Sequence, residues 1–286
     1  MLEKTVVVIG SGPMVEHCLY HLSKKFKKIL VIVNGKKNYT NSIRKTSIAK
    51  IYKLKKIDYF FSIMNKKIIS KKILKKIVFA INFHDSPLPK YAGLYPSTFG
   101  ILNNERQWGC TWHFMSDRVD KGDIISQKKF QINQGKTAYD LDVLSAYYGI
   151  VLFERILTYL PNLNSYRRKQ NIKKFSYYGK KDFIKVLKKS TVSLEDRIEN
   201  IIKIFRAFKL SKEKTTKIFS PKLKIKRRLY IIEDIKILKR NINKNIRRKR
   251  KENLVFIKKG KFELIKSNFT YQFTLKKKIN LKLKIY

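Results

Sequence analysis

Apolar residues in the first half of the chain fall into short unbroken runs separated by helical patterns. Residues 5–10, TVVVIG, form a β-branched run of strand length, followed by a glycine-rich turn and then by Val15, Cys18, Leu19 and Leu22 on one face of a helix. Residues 29–35, ILVIVNG, read as a second buried strand closed by Asn-Gly. Strand, turn, helix and strand make a βαβ unit, which implies a parallel sheet with a right-handed crossover. The alternation continues through strands at 57–64, 78–83, 109–115 and 124–132. Helices are expected at 66–77, 95–104 and 137–160, the last stopped by Pro161. The expected fold class is α/β with a mostly parallel sheet.

The pattern changes after residue 160. Residues 161–180 are polar, with Pro, Asn and Gly, and read as a connection between domains. Residues 193–208 open like a capped helix, with Ser193 three positions before Asp196. From about residue 223 the period becomes two, in LYIIEDIKIL, NLVFIKKGKFELIK and YQFTLKKKINLKLKIY, which predicts a small antiparallel sheet or barrel. The basic run 239–253 is expected to be a solvated loop within it. The division that results is a first domain over 1–165, a linker over 166–192 and a basic C-terminal domain over 193–286.

Composition changes this picture in one respect. The formal net charge is +47, from 67 Lys and Arg against 20 Asp and Glu, which points to a polyanionic partner such as a nucleic acid. Yet 53 of the basic residues are Lys and only 14 Arg, beside six Ala in the whole chain, which equally fits a drift of composition toward Lys, Ile and Asn on a tolerant surface. Cys18 and Cys110 have no CxxC or His-spaced partner, so neither a disulfide framework nor a structural zinc site is indicated, and no metal is expected. No apolar run approaches membrane-spanning length, and the apolar run before Gly10 is too short for a signal peptide, so a soluble cytoplasmic protein is expected with no membrane partner. Oligomeric state is left open.

Two stretches carry candidate chemistry. GSGPM at 10–14 could present backbone N–H groups to a phosphate, but it lacks a third glycine, and Asn34 stands where a ribose-binding acid belongs, so a nicotinamide cofactor is disfavoured. NFHDSPLP at 82–89 is the sharper signal. Residues two apart in a strand point the same way, so Asn82 and His84 share one face at the end of an expected parallel strand, and two prolines stiffen the loop beyond. The strand at 109–115 leads into SDRVDKGD, which is expected to bring Asp117, Asp120 and Asp123 to the same sheet edge. A carboxamide, an imidazole and an orienting carboxylate form an acid–base and oxyanion set. No nucleophile elbow is present, so direct attack on a bound acyl donor is favoured over a covalent acyl-enzyme. His17, His21 and His113 are read as structural.

Residues 81–127, INFHDSPLPKYAGLYPSTFGILNNERQWGCTWHFMSDRVDKGDIISQ, resemble the core of the 10-formyltetrahydrofolate-dependent formyltransferases. The likeness rests on an N-x-H pair, an S-x-L-P loop, a P-x-Y-x-G run and a later D-x-G-D-[IM] segment in that order. It implies a Rossmann-like catalytic domain followed by a small mainly-β domain, and 10-formyltetrahydrofolate as co-substrate. Carried over residue by residue, it places the catalytic trio on Asn82, His84 and Asp120. The folate contacts fall on Ser86, Pro87, Leu88 and Pro89, with Ile63 and Met64 lining the pterin pocket. Ala92 stands where methionyl-tRNA formyltransferases carry a second Arg, and the wording is closer to formyltransferase domains of nonribosomal peptide synthetases. The expected acceptor is therefore an aminoacyl-type, carrier-bound or small-molecule amine. Methionyl-tRNA is the runner-up, and an inactive fold used for RNA binding the alternative of another class.

Overall fold

In the computed structural model, which describes residues 2–32, 43–210, 220–225, 228–239, 253–258, 261–266 and 269–276, the chain divides into two compact units. The first holds residues 1–100, 105–134 and 140–181, and the second 101–104, 135–139 and 182–286. Along the chain come β1 (Val6–Gly10), α1 (Pro13–Lys25), β2 (Ile29–Ile32), β3 (Ile43–Lys45), α2 (Ile48–Tyr52), β4 (Ile57–Ile63), α3 (Lys71–Leu74) and β5 (Ile77–His84). Then follow β6 (Ala92–Gly93), α4 (Pro96–Leu102), β7 (Gln107–Phe114), β8 (Ile124–Gln131), α5 (Ala138–Thr158) and β9 (Tyr177–Tyr178).

Among the described residues, the large sheet of the first unit runs β3-β2-β1-β4-β5-β7-β8. Its first five strands are parallel, whereas β7 is antiparallel to β5 and β8 antiparallel to β7. β1 and β2 are continuous apolar runs because both faces are covered. Val6 and Val8 of β1 enter one core with Met14, Val15, Cys18, Leu19 and Leu22 of α1 and Leu152, Phe153, Ile156 and Leu157 of α5. Val7 and Ile9 face a second core with Ile51 of α2 and Ile73 of α3. On the first face α5 lies close to the sheet, since a Cβ on Gly149 would stand 2.3 Å from the Phe83 ring. There Trp112 donates its indole N–H to the Gly149 carbonyl at 2.8 Å.

Several boundaries differ from the sequence pattern for local reasons. The helix expected over 66–77 shrinks to α3. Asn65 bonds the main chain of Lys67 in both directions, accepting from its N–H at 3.1 Å and donating to its carbonyl at 2.8 Å, and such local bonds compete with helix formation. The six lysines between 66 and 76 also have no acid beside them on that segment to pair with at helical spacing. The second strand is described to Ile32, and Asn34 lies outside the described residues. Residues 166–181, expected as linker, belong to the first unit. Arg168 and Ile124 exchange main-chain hydrogen bonds of 2.9 and 2.8 Å, and β9 pairs in parallel with β6. No single helix among the described residues is long and apolar enough to cross a membrane.

The second unit takes in α6 (Lys180–Leu187) from its third residue, then β10 (Thr191–Ser193), α7 (Ile198–Phe208), β11 (Lys222–Ile225), β12 (Arg228–Lys239), β13 (Asn253–Lys258), β14 (Lys261–Lys266) and β15 (Phe269–Lys276). Its described strands form one sheet, β10-β11-β12-β15-β14-β13, antiparallel except for β10 with β11. Buried Ile198, Ile201, Ile204, Phe205 and Phe208 recur at helical spacing along α7. Asp196 accepts from the Ser193 N–H at 2.7 Å, as a capping box would, but the bond closes a turn and the helix begins only at Ile198. Nearly all of the basic run 239–253 lies outside the described residues.

Phe153 is fully buried and meets Phe61 edge-on and Trp112 at a tilt, with ring centroids 5.4 and 5.2 Å away. Phe153→Ala should cost about 3–5 kcal/mol of stability. Urea unfolding followed by Trp fluorescence checks this, because both tryptophans of the chain, Trp108 and Trp112, lie in the first unit. A loss below about 1 kcal/mol would remove Phe153 from the core.

Candidate active site

The register of β5 against β7 builds the site. Asn82 stands opposite His113, Phe83 opposite Trp112, and His84 opposite Thr111. Side chains alternate faces along a strand, so Asn82, His84, Thr111 and His113 share one face while Phe83 and Trp112 meet at a tilt on the other with centroids 5.2 Å apart. His113 donates its Nδ1–H to the Phe114 carbonyl at 2.8 Å. Its Nε2 lies 3.1 Å from the Asn82 carboxamide nitrogen.

Asp120 arrives by a different route from the one the sequence pattern suggests. Because β7 is antiparallel to β5, its C-terminal end lies beside Ile81 rather than at the end of β5. The loop after β7 folds back so that Asp120, with φ 54°, places its carboxylate between the two imidazoles. One oxygen is 3.7 Å from His84 Nδ1 and the other 3.5 Å from His113 Nε2, with only 10% of the side chain exposed. The Gly93 N–H donates to it at 2.9 Å. Gln170 holds the loop from behind, its Nε2 donating to the carbonyls of Asp120 and Gly122 at 2.8 and 2.7 Å. Gly122 is required by close approach, since a Cβ there would sit 1.7 Å from the Phe114 carbonyl oxygen. Asp117 and Asp123 are not brought in. They pair instead with Lys71 and Arg167 at 3.5 and 3.7 Å.

His84 is buried, and its Nε2 donates to the Tyr91 carbonyl at 2.8 Å. Its Nδ1 edge faces Asp120 and, at 3.9 Å, Asp85, distances of ion pairs rather than of hydrogen bonds. Burial opposes the imidazolium, but the Asp120 and Asp85 carboxylates and the Tyr91 carbonyl outweigh it, and the His84 pKa rises above its ordinary value. Burial likewise opposes the charged form of Asp120, yet His84, His113 and the Gly93 N–H hold its pKa well below the usual carboxylate range.

The Ser86–Pro89 loop is strapped to the sheet. The Thr111 hydroxyl donates to the Ser86 carbonyl at 2.8 Å and accepts from the Leu88 N–H at 3.2 Å, and Gln127 donates to the Leu88 carbonyl at 2.7 Å. Ser86 and Leu88 turn inward and are buried, as is Ile63. Pro87 and Pro89 are half-buried, and Met64, 38% exposed with φ 49°, stands at the end of β4.

Sequence reasoning missed three members of this cluster. His113 was expected to be structural, whereas the antiparallel register sets it against Asn82 and Asp120; the signal was the polar alternation Thr111, His113 matching Asn82, His84. Asp85 was not assigned. Asp142, on α5, shares its helical face with the small residues Ala138, Ser145 and Ala146. Its Oδ1 is buried with no hydrogen-bond partner among the described residues. Burial and the Asp85 carboxylate push the Asp142 carboxyl well above the usual range, against the pull of the Ser97 hydroxyl and Lys66.

A sequence profile described as formyl transferase matches residues 4–145. The chain belongs to the formyl transferase family. It is 29% identical over 161 residues to the bifunctional polymyxin resistance protein ArnA of Wigglesworthia glossinidia brevipalpis, covering 49% of this chain and 25% of that protein. It is 33% identical over 97 residues to a methionyl-tRNA formyltransferase of Clostridioides difficile, covering 34% and 31%. The aligned part thus spans a quarter to a third of these curated relatives. Among solved structures, an N-formyltransferase of Helicobacter canadensis, crystallised with folinic acid and dTDP-3-aminofucose, aligns over 96% of this chain and 100% of its own with TM-score 0.67 and 24% identity. That likeness establishes the formyltransferase fold, the α/β sheet with a smaller C-terminal sheet that the sequence pattern predicts.

The His84–Asp120 pair dictates a pH dependence. A raised His pKa stabilises the fold below the unfolded value of about 6.5 and loses that effect as pH climbs through the folded value; a lowered Asp pKa stabilises above about 3.9 and loses its effect as pH falls through the folded value. The contribution of the pair is therefore full between about pH 4 and 6.5. His84 should titrate above about 6.5 in the native protein and below it in Asp120→Asn, where burial acts with one carboxylate fewer. Imidazole NMR chemical shifts against pH check this, and identical midpoints would break the coupling.

Proposed function

We propose that the protein transfers a formyl group from 10-formyltetrahydrofolate to a primary amine of a small-molecule acceptor, an amino sugar being the favoured class. The observation that carries the reading is the buried convergence of Asn82, His84 and Asp120 on one sheet face, with His84 held toward its charged form. Family membership and the solved relative's ligands support it.

In this reading Asn82 and the Nδ1–H edge of His84, the edge not committed to main chain, donate hydrogen bonds to the oxyanion that develops when the amine adds to the formyl carbon. Asp120 keeps His84 protonated throughout, so the imidazole acts as a donor rather than as a base. The new C–N bond forms first, the bond to N10 of the folate breaks as the oxyanion collapses back to a carbonyl, and the proton lost by the amine passes by way of water beside Asp120 to N10. The Ser86–Pro89 loop, its inner side already bonded to Thr111 and Gln127, offers proline edges and main chain as a wall for the flat pterin, with Met64 alongside. His113 joins the set as a positioning residue that fixes the Asn82 carboxamide. The first unit supplies this catalytic machinery, and the second is proposed as the accessory C-terminal domain.

Methionyl-tRNA is the competing acceptor, favoured by the net charge of +47. A panel of dTDP-linked amino sugars, free and carrier-bound amino acids and charged initiator tRNA, each with labelled 10-formyltetrahydrofolate, separates the two. Formylation confined to the tRNA and falling steeply with salt would overturn the acceptor class; transfer to none of them would overturn the activity. Asn82→Ala should lower turnover about 100-fold or more with an unchanged circular dichroism spectrum, and an unimpaired variant would take Asn82 out of the mechanism.

A further inference from the structure

On the far side of the first core from the sheet, α1 and α5 bring two imidazoles and a carboxylate to one point. His17 and His21, four residues apart, lie on one face of α1. Glu154 of α5 faces them. His17 Nε2 stands 3.3 Å and His21 Nε2 3.2 Å from the same oxygen, Glu154 Oε1, and the two Nε2 atoms are 3.1 Å from each other.

The His17 Nε2–Glu154 Oε1 and His21 Nε2–His17 Nε2 contacts lie within hydrogen-bond reach, yet protons alone leave one edge of the triangle unfavourable. If both Nε2 atoms carry protons, two N–H dipoles crowd together on a single oxygen. If one is the acceptor, its lone pair also faces the carboxylate oxygen. A cation at the centre meets all three lone pairs at once. Tetrahedral zinc, with bonds of about 2.0–2.1 Å, needs ligand atoms about 3.3–3.4 Å apart, close to the spacing found here. Each of the three residues offers one ligand atom, and the three form the one such group of His, Cys, Asp and Glu found among the described residues. Side-chain exposures of 42, 25 and 47% for His17, His21 and Glu154 leave an entry path and room for a water in the fourth position.

The surroundings fit a cation. Lys24 lies over the Tyr20 ring at 4.1 Å, and Lys25 donates to the Leu157 carbonyl, so the two lysines at the end of α1 are committed elsewhere. Tyr20 packs edge-on against His21 with centroids 5.3 Å apart. Cys18 beside His17 is turned into the core and is not a ligand.

We propose that His17, His21 and Glu154 form a binding site for a zinc-class divalent ion, which clamps the first helix of the chain to α5 across more than 130 residues of sequence. The site is independent of the proposed transfer reaction. The sequence pattern, in which both histidines looked structural and no metal was expected, could not show it because Glu154 arrives from another helix.

The test is calorimetric titration of zinc into chelator-treated protein carrying no polyhistidine tag, with cobalt substitution read in the visible spectrum. One equivalent of zinc, the intense bands of four-coordinate cobalt and a zinc-dependent rise in unfolding temperature are expected. His17→Ala, His21→Ala and Glu154→Gln should each weaken binding at least tenfold and abolish the thermal shift, while formyl transfer by these variants stays unchanged. Absence of binding at micromolar zinc, a pale six-coordinate cobalt spectrum, or one-equivalent binding that survives in the His17→Ala/His21→Ala double variant would overturn the site.

Discussion

A carboxylate withdrawn from water must be met by donors and positive charge, and the first unit is arranged around that requirement at Asp120. Desolvation alone would protonate the side chain and leave an inert acid. The neighbouring imidazoles and the Gly93 N–H reverse the balance, and the same interaction read from the other side keeps His84 charged. Each group's charge supports the other's. Removing one partner of such a buried pair is costly because it strands the remaining charge, so pair, loop and strand register act as one piece.

That dependence explains the main-chain strain nearby. Tyr91, Tyr95 and Asp120 all have positive φ, at 62°, 54° and 54°. Each non-glycine residue in this region costs of order 1 kcal/mol or more, and persists only where its surroundings over-determine it. For Asp120 the surroundings are visible: Gly93 holds the side chain, Gln170 the main chain, and Gly122 lets the loop lie against the end of β7. Tyr91 gives its carbonyl to His84 and takes the Ser176 hydroxyl oxygen on its N–H at 2.9 Å. The strap that contains Gln170 and Ser176 is thus part of the site's support rather than a connection leading away from it.

Much of the fold and the heart of the site were legible in the sequence, for reasons of periodicity. β1 is an unbroken apolar run and β4 and β5 are largely apolar because they lie inside the sheet, and α1 and α5 show a 3.6-residue period because each buries one face. Asn82 and His84 followed from strand alternation alone. What stayed hidden depends on how separate segments meet. The direction of β7 is not written in its composition, and with it went the role of His113 and the fold-back of Asp120. The 166–181 strap is held by main-chain pairing and amide side chains, which leave no hydrophobic period to find. Asp142 and Glu154 look like ordinary polar positions on α5 until their neighbours from other elements are placed beside them.

The charge of the chain is better read through its acids than through its lysines. Lys and Arg number 67, but exposed charges beyond about 8–10 Å are screened at physiological salt and act weakly on a buried imidazole. Were the net charge of +47 felt at His84, it would drive the proton off; the direction of the shift is the reverse. Local carboxylates therefore win. Of the 20 acids, Asp85, Asp120 and Asp142 gather around this one sheet end, two of them acting directly on His84 and the third on Asp85. A surface drifting toward lysine can be uniform, whereas an acid in such a chain is informative by where it sits, and Asp85 and Asp120 sit where a cation has to be held in place.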